Sequence, residues 1–220
     1  MSVSVNTQRN DARRLGAAAA AVVVTLAAVL TTVTLARSRT VAMPTGLTGT
    51  GTEPARVGIV ASVPAPRAHA PLPAATPESL RIPALGLDTS ALVELGRTPT
   101  GELEVPGTGD AVGWTPAAHT PGERGAALLT GHIDVAYERG AFFGLSGLTP
   151  GSGIVVGRAD GVEAVFTVFR VQRLPQETAL AAALAPSDEP DLRLLSAVDA
   201  AGEDTQAVLV TARLTGTGGS

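Results

Sequence analysis

The sequence predicts a mainly β domain folded as a closed or nearly closed β-barrel, and three observations support this. About eight short apolar or alternating segments lie between residues 78 and 215, separated by turn residues. Two of them flank Asp160-Gly161, a dipeptide typical of a β-hairpin. Only one or two brief stretches have helical character. Many short strands with so few helices are typical of a closed barrel.

Composition narrows the possible functions. The chain has 220 residues and a net charge of -4, enough for one ordinary domain with extensions. Because phosphate binding needs a basic face, this mild acidity argues against a nucleic-acid partner. The sequence contains no cysteine, which excludes disulfides, thiolate metal sites and cysteine nucleophiles.

The amino-terminal part predicts a membrane anchor. Residues 1–14 are polar and carry three arginines, and residues 15–36 are an uncharged run of about 22 residues, enough to cross a bilayer as a helix. We expect a cytoplasmic tail, a single-pass anchor in the cell membrane and an extracytoplasmic domain. A cleaved secretory signal is the alternative, although Thr34-Leu35-Ala36 is a poor match to a cleavage site.

Residues 37–77 are rich in Pro, Gly and Ala and show no sustained apolar period. This composition predicts a disordered linker that holds the barrel domain, residues 78–215, away from the membrane.

The first half of the domain predicts four strands, at residues 80–82, 91–95, 102–105 and 111–114. Pro83 limits pairing, so the first of these strands lies at an edge or ends there. A central buried strand follows at residues 126–130 and stops at the bend of Gly131. His132 and Asp134 come directly after this bend. Catalytic side chains are often displayed on loops at the ends of rigid strands.

The second half predicts one or two helical turns within residues 137–145, with Phe142, Phe143 and Leu145 packed inward. Strands follow at residues 154–156 and 162–171, then a helix at 177–185 that Pro186 stops. Strands at residues 192–195 and 207–214 complete the barrel.

A series of motifs in this order resembles the sortases, in particular the class E and class F sortases of actinobacteria. The motifs are Leu80-Arg-Ile-Pro-Ala-Leu-Gly-Leu-Asp88, Leu103-Glu-Val-Pro106, Val112-Gly-Trp114, Thr130-Gly-His-Ile-Asp134, Leu148-Thr-Pro-Gly151, Arg173-Leu-Pro175 and Leu192-Arg-Leu-Leu-Ser196. The resemblance implies a sortase-like barrel and a membrane-anchored transpeptidase that acts on the sorting signals of surface proteins. It implies no cofactor.

The resemblance also implies a set of site residues. Sortases attack a peptide carbonyl with a cysteine thiolate, use a histidine as acid and base, and steady the oxyanion with an arginine. The family histidine corresponds to His132, and Thr130, Gly131 and Asp134 beside it are assigned to peptide binding. The family cysteine position is occupied by Ala197, and the segment 198–206, where the family has its arginine, contains none.

Three interpretations of this departure remain open. The chain is a degenerate sortase that binds a peptide or a partner protein, or it is an active enzyme that uses Ser196 with His132. The second option is disfavoured because adjacent strand residues point to opposite faces. The third is an engineered or erroneous sequence in which Ala197 replaces a cysteine, which leaves the missing arginine unexplained. A metal site is not expected, because His132 and Asp134 give only two ligands and His119 a third only if its loop folds back.

Overall fold

The structure is a computed structural model that describes residues 58–99, 103–135, 138–197 and 206–219. The expected tail of residues 1–14, the anchor of residues 15–36 and the first part of the linker lie outside these ranges. Within them, no helix is both long enough and apolar enough to cross a membrane.

Strands dominate the described residues. Their bounds are β1 Gly58–Ser62, β2 Pro77–Ile82, β3 Leu87–Thr89, β4 Leu92–Glu94, β5 Val112–Trp114, β6 Gly125–His132, β7 Asp134–Val135, β8 Glu138–Arg139, β9 Gly153–Arg158, β10 Val162–Pro175, β11 Pro190–Ala197 and β12 Gln206–Gly219. One α-helix, α1, spans Gln176–Ala183, and short 3-10 helices span Pro83–Leu85 and Leu145–Gly147.

Ten of the strands in the described ranges form one sheet in the order β3-β2-β9-β10-β12-β11-β6-β5-β4, with β1 added beside β10. Strands β2 and β4, near the two ends of this order, contact each other, so the sheet is nearly closed. The prediction of a mainly β, barrel-like fold is therefore confirmed. The strand β6 pairs in parallel with β11, and β4 with β5, whereas the other pairs in the sheet are antiparallel.

Two apolar clusters flank the sheet. The main core fills the barrel and includes Phe142, Phe166 and Leu129, all fully buried. A second cluster lies on the other face of β6 and β11, where Leu128 and Leu195 pack beneath α1. Alternation along the strands explains this division, because successive side chains point to opposite faces.

The hairpin predicted at Asp160-Gly161 is confirmed. Strand β9 pairs with β10 across this turn, and Gly161 adopts a positive φ of 77°, which glycine tolerates without steric cost. The helix predicted over residues 177–185 is present as α1.

Three local predictions are wrong. Residues 58–77 are not a disordered spacer, because β1 pairs with β10 and the chain after it bonds to the barrel, for example from Leu72 N to the Gly122 carbonyl at 2.8 Å. The described part of the strand expected at residues 102–105 is no strand: Leu103 forms an isolated bridge to Arg97, and Glu104 N bonds to the Gly96 carbonyl at 3.2 Å. No α-helix lies in the described part of residues 137–145, where Gly144 has a φ of 80°; Phe142 and Leu145 pack inward as expected, whereas Phe143 is 46% exposed.

Arg158 fastens the segment before β2 to the barrel. Its side chain is fully buried and donates to the carbonyls of Pro73, at 2.6 Å, and Pro121. It also bonds to the Asp160 carboxylate at 2.7 Å, and this bond is the main reason why the pKa of Asp160 is lowered. A guanidinium with five donors suits such a three-way contact.

We expect Arg158→Met to lower the free energy of unfolding by about 3 kcal/mol, because two buried carbonyls lose a charged donor. Urea unfolding followed by the fluorescence of the only tryptophan, Trp114, measures this change. The control is Arg81→Met, whose half-exposed ion pair with Glu163 at 3.4 Å is worth less than about 1 kcal/mol. Equal losses in the two variants would contradict the role of Arg158.

Candidate functional site

The candidate site lies where the parallel strands β6 and β11 end side by side. Their register runs from Gly125 opposite Pro190 to His132 opposite Ala197. His132 and Ala197 are therefore backbone neighbours on adjacent strands, which lie roughly 4.8 Å apart. The fold thus brings together two positions that are far apart in the sequence and that sequence analysis assigned to the same site.

The His132 ring is buried, with 7% of the residue exposed. Its Nε2 lies 2.8 Å from the carbonyl oxygen of Pro106. Because a carbonyl oxygen only accepts, Nε2 donates, and in the neutral ring Nδ1 is then an acceptor. That Nδ1 has no hydrogen-bond partner among the described residues. The backbone is fixed as well, since the His132 carbonyl accepts from Phe142 N at 2.8 Å.

Thr130, two residues earlier, shares the face of β6 that carries His132. Only 5% of Thr130 is exposed, and its Oγ1 also has no partner within the described part of the chain. It lines a cavity of about 420 Å³, which we call the proximal cavity. The cavity lies between α1, represented by Gln176 and Leu180, and the segment Leu103 to Val105.

We call residues 103–106 the strap. Leu103, Glu104 and Val105 line the proximal cavity, and Pro106 receives the hydrogen bond from His132. The strap and α1 are thus the two walls of a groove whose floor is formed by Thr130 of β6, Leu195 and Ser196 of β11 and Ala207 of β12. Apolar side chains alternate with polar ones in this lining, including Glu104, Gln176 and Glu177 in the walls, and such a mixed cleft is a form typical of a binding site.

Arg193 holds the α1 wall in place. It is 8% exposed and donates to the carbonyls of Ala182, Ala183 and Ala185, at 3.2, 2.7 and 2.5 Å. These carbonyls lie at the carboxyl end of α1, where cations stabilise a helix. Burial lowers the pKa of Arg193, because desolvation disfavours the charged form, although the charge of Asp191 opposes this effect.

Ser196 borders the proximal cavity but is tied to the neighbouring strand. Its Oγ accepts a hydrogen bond from Val208 N at 2.8 Å, and 3% of the residue is exposed. In the β6–β11 register Ser196 lies opposite Gly131, one position away from His132. The hydroxyl therefore has no bond to the imidazole that would activate it as a nucleophile.

Two other predicted residues, Gly131 and Asp134, lie close to His132 in the chain, but the ring bonds to neither. Gly131 is buried, and a Cβ there would lie 3.0 Å from the Phe142 ring, so its lack of a side chain lets that ring pack closely. Asp134 is exposed on β7, where it pairs with Arg139 of β8. His119 forms a bridge to Ala127, near the start of β6, five residues before His132. No three His, Asp or Glu side chains gather within the described ranges.

The only arginine on β12 is engaged elsewhere. Arg213 Nε lies 2.5 Å from the Asp191 carboxylate, and the two residues are opposite each other in the pairing of β11 with β12. Asp191 is six residues before Ala197 on β11, or roughly 20 Å away at about 3.3 Å per residue. Arg213 therefore cannot steady an oxyanion at position 197. The segment 198–205 lies outside the described residues.

Sequence analysis missed two residues of this site, Pro106 and Arg193. Pro106 was noticed only as part of a motif, because nothing local indicates that its carbonyl meets a histidine 26 residues later. Arg193 alternates with Leu192 and Leu194, a pattern that predicts an exposed side chain. The alternation does place it on the outer face of the barrel, but α1 covers that face.

Comparisons with known proteins agree on one fold. A family model described as a sortase domain matches residues 80–215. Sortase A of Listeria monocytogenes is 14% identical, with 66% of this chain and 91% of that chain covered and a TM-score of 0.51. Sortase C1 of Streptococcus agalactiae is 16% identical (63% and 67% covered, TM-score 0.48), and a lid mutant of sortase A from Corynebacterium diphtheriae is 20% identical (63% and 69% covered, TM-score 0.47). No curated protein matches the chain.

We expect Ser196 to be structural. Ser196→Ala should lower the free energy of unfolding by about 1–3 kcal/mol, because Val208 N is left buried without an acceptor. The exposed Ser62→Ala is the control and should change it little. A fluorophosphonate probe should leave the mass of the wild-type chain unchanged. An adduct on Ser196 that His132→Ala abolishes would show that this serine is a nucleophile after all.

Proposed function

Because the chain belongs to the sortase family, we propose that it is a membrane-anchored, extracytoplasmic member that has lost transpeptidase activity and binds an extended peptide in the groove beside His132. The observation that carries this proposal is the identity of the residue at position 197. Ala197 lies in register with His132, and the chain contains no cysteine at all.

Without a cysteine thiolate, the chain cannot carry out the first step of transpeptidation. Transpeptidation by this family needs a thiolate that attacks the scissile carbonyl and forms an acyl-enzyme, and alanine has no nucleophilic atom. The missing arginine removes a second element, since residues 198–206 contain none and Arg213 is held by Asp191. A change of cysteine to alanine alone would not explain both losses, so we favour a degenerate site over a single exchange.

Peptide binding is supported by groups that remain. Thr130 Oγ1 and His132 Nδ1 are buried on one face of β6 and have no partners among the described residues. Burial without a hydrogen bond costs about 1–3 kcal/mol for such a group. Only Thr130 of the two lines the proximal cavity, and a peptide backbone there would supply an N–H or a carbonyl for its hydroxyl.

The anchor and the class of sortase are part of the same proposal. Residues 15–36 are apolar and long enough to cross a bilayer, and the motifs around Gly131 and Trp114 resemble class E and class F sortases. The peptide would then come from a surface protein that carries a sorting signal, with the groove acting as a binding module or as a partner of an active sortase.

We expect the full-length chain in detergent to leave fluorogenic sorting-signal peptides uncleaved while binding them, as measured by mass spectrometry and fluorescence anisotropy. Thr130→Val should weaken binding by about three- to tenfold, because it removes one hydroxyl that bonds to the peptide, worth about 1 kcal/mol. The control is Thr149→Val, an exposed threonine that does not line the cavity. Wild-type cleavage that disappears in His132→Ala would overturn the proposal.

A cysteine introduced at position 197 distinguishes loss of several catalytic groups from loss of the nucleophile alone. We expect Ala197→Cys to remain without turnover, because the arginine is missing and His132 Nε2 is bonded to the strap. Cleavage by this variant would show that only the nucleophile was lost. The matched control, Ala197→Ser, should also be silent.

A further inference from the structure

The strand β1 lies at an open edge of the sheet. It pairs with β10 on one side, and no strand within the described ranges pairs with its other side. Three of the seven large apolar side chains that are exposed in these ranges lie in β1 or directly after it, namely Ile59, Val60 and Val63. The largest exposure of the seven is that of Ile59, at 63%. Exposed apolar side chains that cluster, rather than lie singly, indicate a contact surface.

Two arginines flank this edge. In the β1–β10 register, Arg170 and Arg173 lie opposite the two ends of β1. Residues three apart on a strand point to opposite faces, so the two side chains stand on either side of the edge. Both are exposed, and neither forms an ion pair within the described part of the chain. Arg170 lies over the Phe169 ring, and the Phe169 carbonyl accepts from Val63 N at 2.9 Å, so this arginine is close to the apolar group.

The chain around the edge carries no negative charge. Residues 58–77 and 164–176 contain one and two arginines, respectively, and neither range contains Asp or Glu. Glu163, at the other end of β10, is paired with Arg81 at 3.4 Å. The whole chain has a net charge of -4, so this edge is a local basic region on an acidic protein. Such a region favours an anionic partner.

The backbone of β1 is poorly suited to pairing with a further strand. Its register shifts between Ile59 and Ala61, so Val60 is the extra residue of a β-bulge. A bulge in an edge strand disrupts the row of N–H and C=O groups that another strand would need. We therefore expect the partner of this edge to contact the side chains rather than to extend the sheet.

The segment before β1 leads back to the apolar run of residues 15–36. The two are separated by residues 37–57, a length of chain that spans at most about 75 Å when fully extended. The proposed anchor therefore keeps β1 within reach of one membrane. A tethered surface needs only a weak affinity, because the tether raises its effective concentration.

We propose that the edge formed by Ile59, Val60, Val63, Arg170 and Arg173 rests on the anchoring membrane and binds anionic lipid headgroups. This inference rests on the proposed anchor and is independent of peptide binding. Guanidinium groups bind phosphates, and apolar side chains enter the boundary between headgroups and acyl chains. The unpaired backbone groups of β1 stay at the level of the headgroups, where water is available to them.

The absence of cysteine allows a single fluorescent label at a chosen position. Full-length Ser62→Cys, labelled with NBD, is placed in nanodiscs of phosphatidylcholine alone or mixed with phosphatidylglycerol. We expect lipids with a nitroxide on the headgroup to quench this label strongly in the anionic discs and weakly in the neutral ones, with high salt reducing the difference. The matched control is Ser90→Cys, an exposed serine between β3 and β4, which should be quenched little in both.

The variants test the two kinds of contact. Arg170→Gln combined with Arg173→Gln should lower the contact equilibrium in anionic discs about 25-fold, roughly fivefold for each arginine. The control is Arg81→Gln combined with Arg124→Gln, which removes the same charge from other parts of the barrel and should leave the quenching unchanged. Ile59→Ser should also weaken the contact, because less apolar surface is buried in the membrane.

Four results would overturn this inference. Equal quenching at positions 62 and 90 would leave the anchor in place and remove the membrane contact. Quenching at position 62 that ignores lipid charge and both arginines would mean that the tether alone brings β1 to the membrane. Protection of this label from aqueous cobalt, without nitroxide quenching, would mean that protein covers the edge. A chain that does not enter the discs would contradict the anchor, and the inference with it.

Discussion

The parallel pairing of β6 with β11 is the constraint on which the rest of the structure depends. Eight consecutive positions are in register, from Gly125 with Pro190 to His132 with Ala197. Parallel strands need a long crossover, and here the chain between them supplies β7 to β10 and α1. A shift by one residue would turn Leu129 and Leu194 out of the core and His132 into it. The register therefore fixes the core and the site together.

Side chains alternate between the two faces of β6 and β11, and the two faces have different neighbours. One face of β6 and β11 is covered by the barrel core, and the other by α1, whose carboxyl end Arg193 bonds from below. Because α1 covers the outer face only in part, the groove remains beside it, bounded on its other side by the strap. Arg193, whose position in the sequence pattern predicts exposure, thus holds one wall of the groove in place.

Much of this could be predicted from local patterns. The strands around Asp160-Gly161, the buried strand before His132 and α1 each carry their own signal, namely a turn dipeptide, an apolar run and an alanine-rich stretch stopped by proline. The features that were missed depend on distant partners. Strand β1 forms because β10 offers it an edge, and the His132 ring is held by Pro106, so neither has a local pattern. Phe143 was misplaced because Gly144 breaks the expected helix.

Two buried polar groups near the end of β6 cost the fold free energy. Within the described residues, the Oγ1 of Thr130 and the Nδ1 of His132 are buried and unpaired, at about 1–3 kcal/mol each. That cost is large against the 5–15 kcal/mol that stabilises a typical domain. Valine would fill the place of Thr130 without an unpaired hydroxyl. The peptide that we propose would give the Thr130 hydroxyl, which lines the groove, the hydrogen-bond partner that it lacks among the described residues.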